Sequence, residues 1–216
     1  MKQTQSLVFL ALATTLVATG ADDPAARLDN AVAVLNTLTQ PGQGISSDQI
    51  ANSDCIAVIP GFKKGAAVVG VGYGRGFISC RNGGKWSPPA AIALESGSVG
   101  VQIGGEEIDL VVLSLDKQKR ASLLSDRFAI GSDASAAWGN GKSAHGDASP
   151  QLLFYGHTKG AFAGFGLDGT TLKRDDSGNK ELYGKKLSNL EIVEGGVYTP
   201  EIAQPLITKL TEASSR

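Results

Sequence analysis

The chain has 216 residues, with 20 Lys and Arg against 21 Asp and Glu, and a formal net charge of -1. This length suffices for one domain with a sizeable core, and the balanced charge argues against a broad electrostatic surface for nucleic acid. Glycine contributes 28 residues, well above the usual ~7%. The excess lies inside apolar runs, which indicates bulges, tight bends or close backbone approaches.

The first 20 residues have the pattern of a targeting segment. Lys2 is followed by an apolar run from Leu7 to Ala18, which is too short to cross a bilayer of about 30 Å. Small residues then offer a cleavage site at 18–21. We therefore predict a secretory signal peptide over 1–20 and one domain over 21–216, exported to the periplasm or secreted, with association to a membrane left open. The alternative is a retained N-terminal anchor.

Two helices are predicted next. Asp23 and Pro24 form a good helix start, apolar residues recur at helical spacing up to Leu38, and Pro41-Gly42 ends the helix. Ser46 with Gln49 three residues later resembles a capping box, which predicts a short helix over about 47–53.

Closely spaced strands are predicted after residue 55. Short runs rich in Val and Ile are separated by Gly, Lys, Arg and Pro, which is typical of strands joined by tight turns. The later part of the chain predicts a helix over 116–124, a polar loop over 139–150, a helix after 175 and a final helix over 199–213 that Pro205 kinks or restarts. The predicted strands are 55–59, 66–73, 76–82, 90–95, 98–103, 107–114, 127–138, 151–157, 160–167 and 170–173.

The two cysteines, Cys55 and Cys80, are 25 positions apart. In an oxidising compartment an even pair predicts a disulfide, and the alternative is two buried free thiols on neighbouring strands. Together with His145 and His157 they make a poor zinc site because close ligand pairs are missing, so no metal is expected.

The chain does not match the sequence motifs of nucleotide-binding, calcium-binding or hydrolase sites in detail. The glycines at 70–76 do not follow G-x-G-x-x-G, and residues 175–186 place Lys180 and Lys186 where a calcium loop needs Gly and Glu. No G-x-S-x-G elbow occurs. The prediction is a protein with no cofactor and no enzymatic activity; the alternative is a hydrolase with a Ser or Cys near His157.

Several ordered segments resemble the SYLF domain family over about residues 45–184. They are CIAVIP (55–60), KKG (63–65), GYGRGFISCR (72–81), WSPPAAI (86–92), VGVQIGGEEIDLVVL (99–113), LFYGHTKGAFAGFGLDG (152–169) and the stretch 179–184 that ends in ELYG. With its signal-like start, the chain looks like an exported bacterial member of that family.

The resemblance implies a lipid-binding module that recognises anionic phospholipid or phosphoinositide headgroups. It also implies an alternative, a protein-interaction module, including actin binding if the protein is delivered to a host cell. The expected partners are therefore anionic membrane lipids or a protein such as actin, and not nucleic acid.

A headgroup site needs cations at turns and backbone N–H groups within reach of phosphate oxygens. The alternative for each cation is a solvated charge on a turn or an edge strand, and core packing is the alternative for the aromatic residues. The candidate cations are Lys63, Lys64, Arg75, Arg81, Lys85, Lys142 and Lys159. The candidate lining of an apolar groove is Phe62, Phe77, Trp86 and Phe165.

These observations predict an α+β fold. We expect a single domain with a largely antiparallel, twisted sheet, either open or curled like a barrel, and helices near both termini that cover its open side.

Overall fold

The fold is taken from a computed structural model, which describes residues 23–41, 44–66, 69–99, 104–130, 134–138, 142–144, 152–158 and 169–215. Within these ranges a curled sheet is flanked by helices from both ends of the chain, which confirms the predicted α+β class. The helices are α1 (Pro24–Leu38), α2 (Ser47–Asn52), α3 (Arg120–Leu123), α4 (Asp176–Tyr183), α5 (Asn189–Glu194) and α6 (Gln204–Ala213). The predicted signal segment, 1–20, lies outside the described residues.

The strands form one sheet in the order β6-β10-β4-β2-β1-β5-β9-β7-β8, with β3 paired to β2. Every described pairing is antiparallel except that of β7 with β9, so the largely antiparallel prediction is confirmed. The strands are β1 (Cys55–Ala66), β2 (Val69–Asn82), β3 (Lys85–Trp86), β4 (Ala90–Val99), β5 (Gly104–Ser114), β6 (Arg127–Ile130), β7 (Ala134–Trp138), β8 (Lys142–Ala144), β9 (Leu152–Thr158) and β10 (Thr170–Arg174).

The central strands are longer than predicted. Strand β1 does not end at residue 59, because a bulge at Pro60-Gly61, where Gly61 has φ +57°, lets it continue to Ala66. The predicted break between 66–73 and 76–82 is wrong, since β2 runs through it without interruption. The predicted break between 90–95 and 98–103 is also wrong, since β4 runs through it to Val99. Residues 100–103 lie outside the described residues.

The later elements also differ in places. The predicted single strand over 127–138 is two strands, β6 and β7, which pair with β10 and β9 respectively. The predicted loop over 139–150 contains strand β8. The helix predicted over 116–124 is a 3₁₀ turn followed by the short α3. The strand predicted at 160–167 lies outside the described residues.

The helix ends follow local sequence signals. Asp23 accepts a hydrogen bond from the backbone of Ala25, and the capping box of Ser46 and Gln49 is present as predicted. The final helix restarts after a 3₁₀ turn at Glu201–Ala203, with Pro205 in its first turn. Sequence reasoning missed α5, although Ser188 and Glu191 form a second capping box at its start.

The sheet has a hydrophobic cluster on each face. Helices α1 and α6 cover one face, which we call the α1 face, with Leu28, Phe77 and Leu210 among the residues of its cluster. Helices α3 and α5 pack on the opposite face, whose cluster includes Phe62 and Ile192. Among the described residues, no helix combines the length and the apolar character that crossing a membrane requires.

Candidate functional site: a groove along helix α1

The predicted cations whose side chains the structure describes do not gather into one patch. Lys63 and Lys64 are neighbours on β1 and therefore point to opposite faces of the sheet. Lys63 is exposed on the α1 face, whereas the side chain of Lys64 is nearly buried on the other face. Adjacent lysines in the sequence thus cannot contact the same headgroup.

Arg75 is held by an acid. Its Nε and Nη2 atoms lie 2.7 and 2.6 Å from Oδ2 of Asp175, and Nη2 donates to Ser177 Oγ at 3.1 Å. Burial alone would raise the pKa of Asp175, but hydrogen bonds from Gly178 N–H, Ser177 and Arg75 outweigh it and hold the pKa below its ordinary value. This ion pair gives Arg75 a role in joining β2 to α4.

Arg81 and Lys85 lie at the other end of β2. Arg81 lies six positions after Arg75, about 20 Å farther along the strand. The guanidinium of Arg81 stacks over the ring of Trp86, 4.2 Å from its centroid, and burial lowers the Arg81 pKa. Lys85 is exposed beside the Gly83-Gly84 turn. These two cations belong to a hairpin that is remote from Lys63.

The three described aromatic residues of the predicted apolar groove do not line a common groove. Phe62 is buried on the face opposite to α1, whereas Phe77 and Trp86 are buried in the cluster beneath α1 and α6. Core packing, the alternative considered from the sequence, is what the structure shows for these three. Lys142 lies in strand β8. Lys159 and Phe165 lie outside the described residues.

The structure instead contains an open groove between α1 and the sheet, with a volume of about 490 Å³. The wall on the helix consists of Ala26, Arg27, Asn30, Ala33, Val34 and Thr37. The floor and the second wall come from three strands and consist of Pro60, Gly61 and Lys63 on β1, Tyr73, Gly74 and Arg75 on β2, and Glu107 and Asp109 on β5. Lys63 and Arg75 are the two predicted cations that the groove brings together.

The charges of the groove are segregated by strand. The bases Lys63 and Arg75 stand on β1 and β2, and the acids Glu107 and Asp109 stand on β5. Asp109 is nearly buried and accepts a hydrogen bond of 2.8 Å from the backbone N–H of Gly61. The bulge in β1 thereby positions a carboxylate at the floor, beside a basic rim.

Sequence reasoning missed Tyr73, Asp109 and the small residues of α1 as members of a site. Tyr73 pairs with Lys63 in the register of β1 and β2, and Lys63 also pairs with Glu107 of β5. Alternation along each strand would have placed them on one face, but only the pairing register makes them neighbours.

The described residues do not form a metal site. Within the described ranges, no group of three or more His, Cys, Asp or Glu side chains comes together in a way that could hold a metal ion. Cys55 and Cys80 are joined in a disulfide between directly paired positions of β1 and β2, which confirms the predicted bridge.

Comparison with known protein families shows to which family the chain belongs. The family model Ysc84, described as Las17-binding protein actin regulator, matches residues 95–213. The chain belongs to this family. The match covers more than half of the chain and confirms the SYLF resemblance seen in the sequence. It spans α4, whose N-cap Asp175 binds Arg75, and both acids of the groove.

Curated relatives agree with this assignment. The chain is 30% identical to SH3 domain-containing YSC84-like protein 1 of Xenopus laevis, over 84% of this chain and 56% of the relative. It is 29% identical to Protein YSC84 of Saccharomyces cerevisiae, over 82% of this chain and 41% of the relative. For LAS seventeen-binding protein 3 of Saccharomyces cerevisiae, identity is 28% over 83% of this chain and 42% of the relative. The chain thus spans about half the length of these relatives. No solved structure gives a significant match.

Proposed function

We propose that this chain is a non-enzymatic protein-interaction module that binds actin filaments or a protein that regulates them. The main support is that the chain belongs to a family described as Las17-binding protein actin regulator. The name of one relative, LAS seventeen-binding protein 3, also specifies binding to Las17. The groove along α1 supports the proposal, because its small-residue wall and mixed charges suit a polypeptide partner. An exported protein would have to be delivered to a cell that contains actin.

Filament pelleting without lipid tests this function. Purified protein is centrifuged with and without actin filaments, and the pelleted fraction is measured across filament concentrations. We expect saturable pelleting that requires filaments. A pelleted fraction that does not depend on filament concentration would contradict actin binding, and a protein of equal size from another family serves as the negative control.

Binding of anionic lipid headgroups is the second candidate function. The observation that favours it is the exposed Lys63 on the lining of the groove. Each cation close to an anionic surface contributes about 1 kcal/mol. Phosphoinositides, phosphatidylglycerol and cardiolipin would all supply the phosphate that such a site needs.

Vesicle flotation at low and high salt tests lipid binding, with neutral, phosphatidylglycerol, cardiolipin and phosphoinositide vesicles. Lys63→Gln should weaken binding to anionic vesicles about fivefold, the equivalent of ~1 kcal/mol. Lys85→Gln is the matched control, since Lys85 is an exposed lysine on the remote hairpin. Equal binding by both variants and the unchanged protein would reject the groove as the headgroup site.

Export is proposed for the same protein. The Cys55–Cys80 disulfide supports it, because stable disulfides are typical of oxidising compartments. Mass spectrometry of the protein recovered from its native host should show a chain that begins near Ala21. Recovery of the chain with Met1 retained in a reducing compartment would contradict export.

A further inference from the structure

Part of the α1 face of the sheet extends beyond the helices. We call this the distal surface and define it by Lys63 and Gly65 on β1, Val71 and Tyr73 on β2, and Glu95 and Gly97 on β4. Pairing registers join Lys63 to Tyr73 to Glu95, and Gly65 to Val71 to Gly97, so these residues form two rows on one face.

The distal surface is open. Val71 and Tyr73 are 62% and 52% exposed, although both are large apolar or aromatic residues within a strand. A Cβ atom built on Gly65 or on Gly97 would meet no atom within 4 Å. Two exposed hydrophobic side chains therefore stand beside two open glycine positions, immediately next to the groove of α1.

Its size limits what could cover it. Three strands at a spacing of about 4.8 Å and two rows at about 6.7 Å give a patch of roughly 10 by 7 Å between Cα positions. That area is far below the roughly 800 Å² per partner that a stable interface between globular proteins buries. A second copy of the chain is therefore a poor fit, and a single segment of a partner fits better.

Helix α1 indicates which kind of segment fits. Its wall of the groove follows positions 26, 30, 33 and 37, which is the spacing of one flank of a helix. Over 11 residues this flank is about 16 Å long, or three helical turns. Ala26, Asn30 and Ala33 are exposed and small, so that another helix could approach closely alongside α1.

The groove offers charges of both signs to such a helix. The basic side chain of Arg75 on β2 and the acidic side chains of Glu107 and Asp109 on β5 are separated by two strand spacings, about 9.6 Å. This separation matches the diameter of an α-helix, about 10 Å. Lys63 lies between them on β1, beside Glu107, so a helix seated in the groove would meet charges of both signs.

We propose that the groove and the distal surface together dock one amphipathic helix of a protein partner. The helix presents a narrow apolar stripe to Tyr73 and Val71, an acidic side chain to Lys63 and a basic side chain to Glu107. This inference rests on the protein-interaction function proposed above and names the site and the kind of segment that it binds.

The test uses the full chain and three fluorescent 18-residue helical peptides with the same Leu and Ala stripe. One has an acidic and a basic flank, one has two acidic flanks and one has two basic flanks. Binding is followed by fluorescence anisotropy. Ala33→Trp fills the groove, and Asn36→Trp, at an exposed α1 position outside the groove, is the matched control. Circular dichroism verifies that both variants remain folded.

We expect the peptide with mixed flanks to bind at least tenfold more tightly than either of the others. Ala33→Trp should weaken this binding at least tenfold, and Asn36→Trp should leave it unchanged. Equal binding of all three peptides, equal behaviour of the two variants, or no binding would overturn the proposal. Loss of phosphatidylglycerol vesicle binding in Ala33→Trp, without loss of peptide binding, would overturn it in favour of a membrane.

Filament pelleting of the same variants separates this inference from the proposed function. Unchanged pelleting of Ala33→Trp would leave actin binding in place and exclude the groove as its site. Peptide binding that depends on the groove, in a protein that does not pellet with filaments, would support the docking site and reject actin as the partner.

Discussion

Arg75 on β2 and Asp175 at the start of α4 form a largely buried ion pair between positions 100 residues apart. The carboxylate of Asp175, 7% exposed, also accepts hydrogen bonds from Gly178 N–H and Ser177 Oγ and lies 3.7 Å from Arg27 of α1. One acid therefore caps α4 and connects it to β2 and α1, which bound the groove.

Replacing this acid should destabilise the protein. Asp175→Asn leaves two buried guanidinium groups without their carboxylate, and removal of one member of a buried pair costs about 3–5 kcal/mol. Urea unfolding measures the loss. Asp176→Asn is the matched control, because Asp176 is an exposed neighbour in a surface pair with Arg174. An equal effect of the two substitutions would show that Asp175 has no special role.

The same carboxylate predicts a dependence of stability on acid. Its pKa in the folded protein lies below the ordinary value of 3.8, so its contribution is complete above that pH and is lost as the pH falls through the lower folded pKa. The free energy of unfolding should therefore fall more steeply below pH 4 in the unchanged protein than in Asp175→Asn. Parallel pH profiles of the two proteins would contradict this assignment.

Replacing glycines of β2 by Ala should destabilise the protein far more than replacing a glycine of β1. A Cβ on Gly76 would lie 2.0 Å from the backbone oxygen of Val58, and a Cβ on Gly72 would lie 2.4 Å from the ring of Phe62. Overpacking of this kind costs about 1–3 kcal/mol or more. We expect Gly76→Ala to be the more destabilising, because a backbone atom cannot rotate away.

Gly65→Ala is the control for this series. The added methyl group meets no atom within 4 Å, so stability should stay equal or rise by up to about 1 kcal/mol through a more restricted unfolded chain. Thermal or urea unfolding compares the three variants. A ranking in which Gly65→Ala is as damaging as Gly76→Ala would refute close packing as the reason for the β2 glycines.

The disulfide should stabilise the fold substantially. Cys55 and Cys80 are fully buried and close a segment with a sequence separation of 25. The double substitution of both cysteines by Ala should lower the free energy of unfolding by about 3 kcal/mol. Unfolding with and without reductant checks this. Reductant should lower the stability of the natural chain and have no effect on the double variant.

Arg120 should be a second structural anchor. It donates from Nε to Asp54 Oδ2 at 2.8 Å, and its Nη2 donates to Asp54 Oδ1 and to the backbone oxygen of Arg81. The hydrogen bond with Asp54 is the main reason that the Arg120 pKa is raised. Arg120→Met leaves the buried carboxylate of Asp54 unpaired and should cost about 3 kcal/mol.

Arg127→Met is the control for Arg120→Met, because Arg127 is an exposed arginine on the nearby edge strand β6. Chemical denaturation should show little change for this variant. Similar losses for the two substitutions would indicate a general effect of removing charge.

Local signals predicted the elements that depend on near neighbours. Asp23 and Pro24 start α1, and Ser46 with Gln49 caps α2, because these contacts lie within four residues. The glycines at 72–76 misled the prediction of a turn. Glycine is needed there because a side chain would clash with Phe62 or Val58 of the adjacent strand, and no local pattern reveals that contact.

We could predict the α+β class, most helix starts, the cysteine pair and the family from the residues alone. The sequence also supplied two cations of the groove, Lys63 and Arg75. Which charged residues meet depends on the fold, because strand alternation sends Lys63 and Lys64 to opposite faces and register brings Glu107 beside Lys63. Helix starts depend on contacts within a few residues and can be predicted from the sequence. The groove depends on pairing between strands that are distant in the chain.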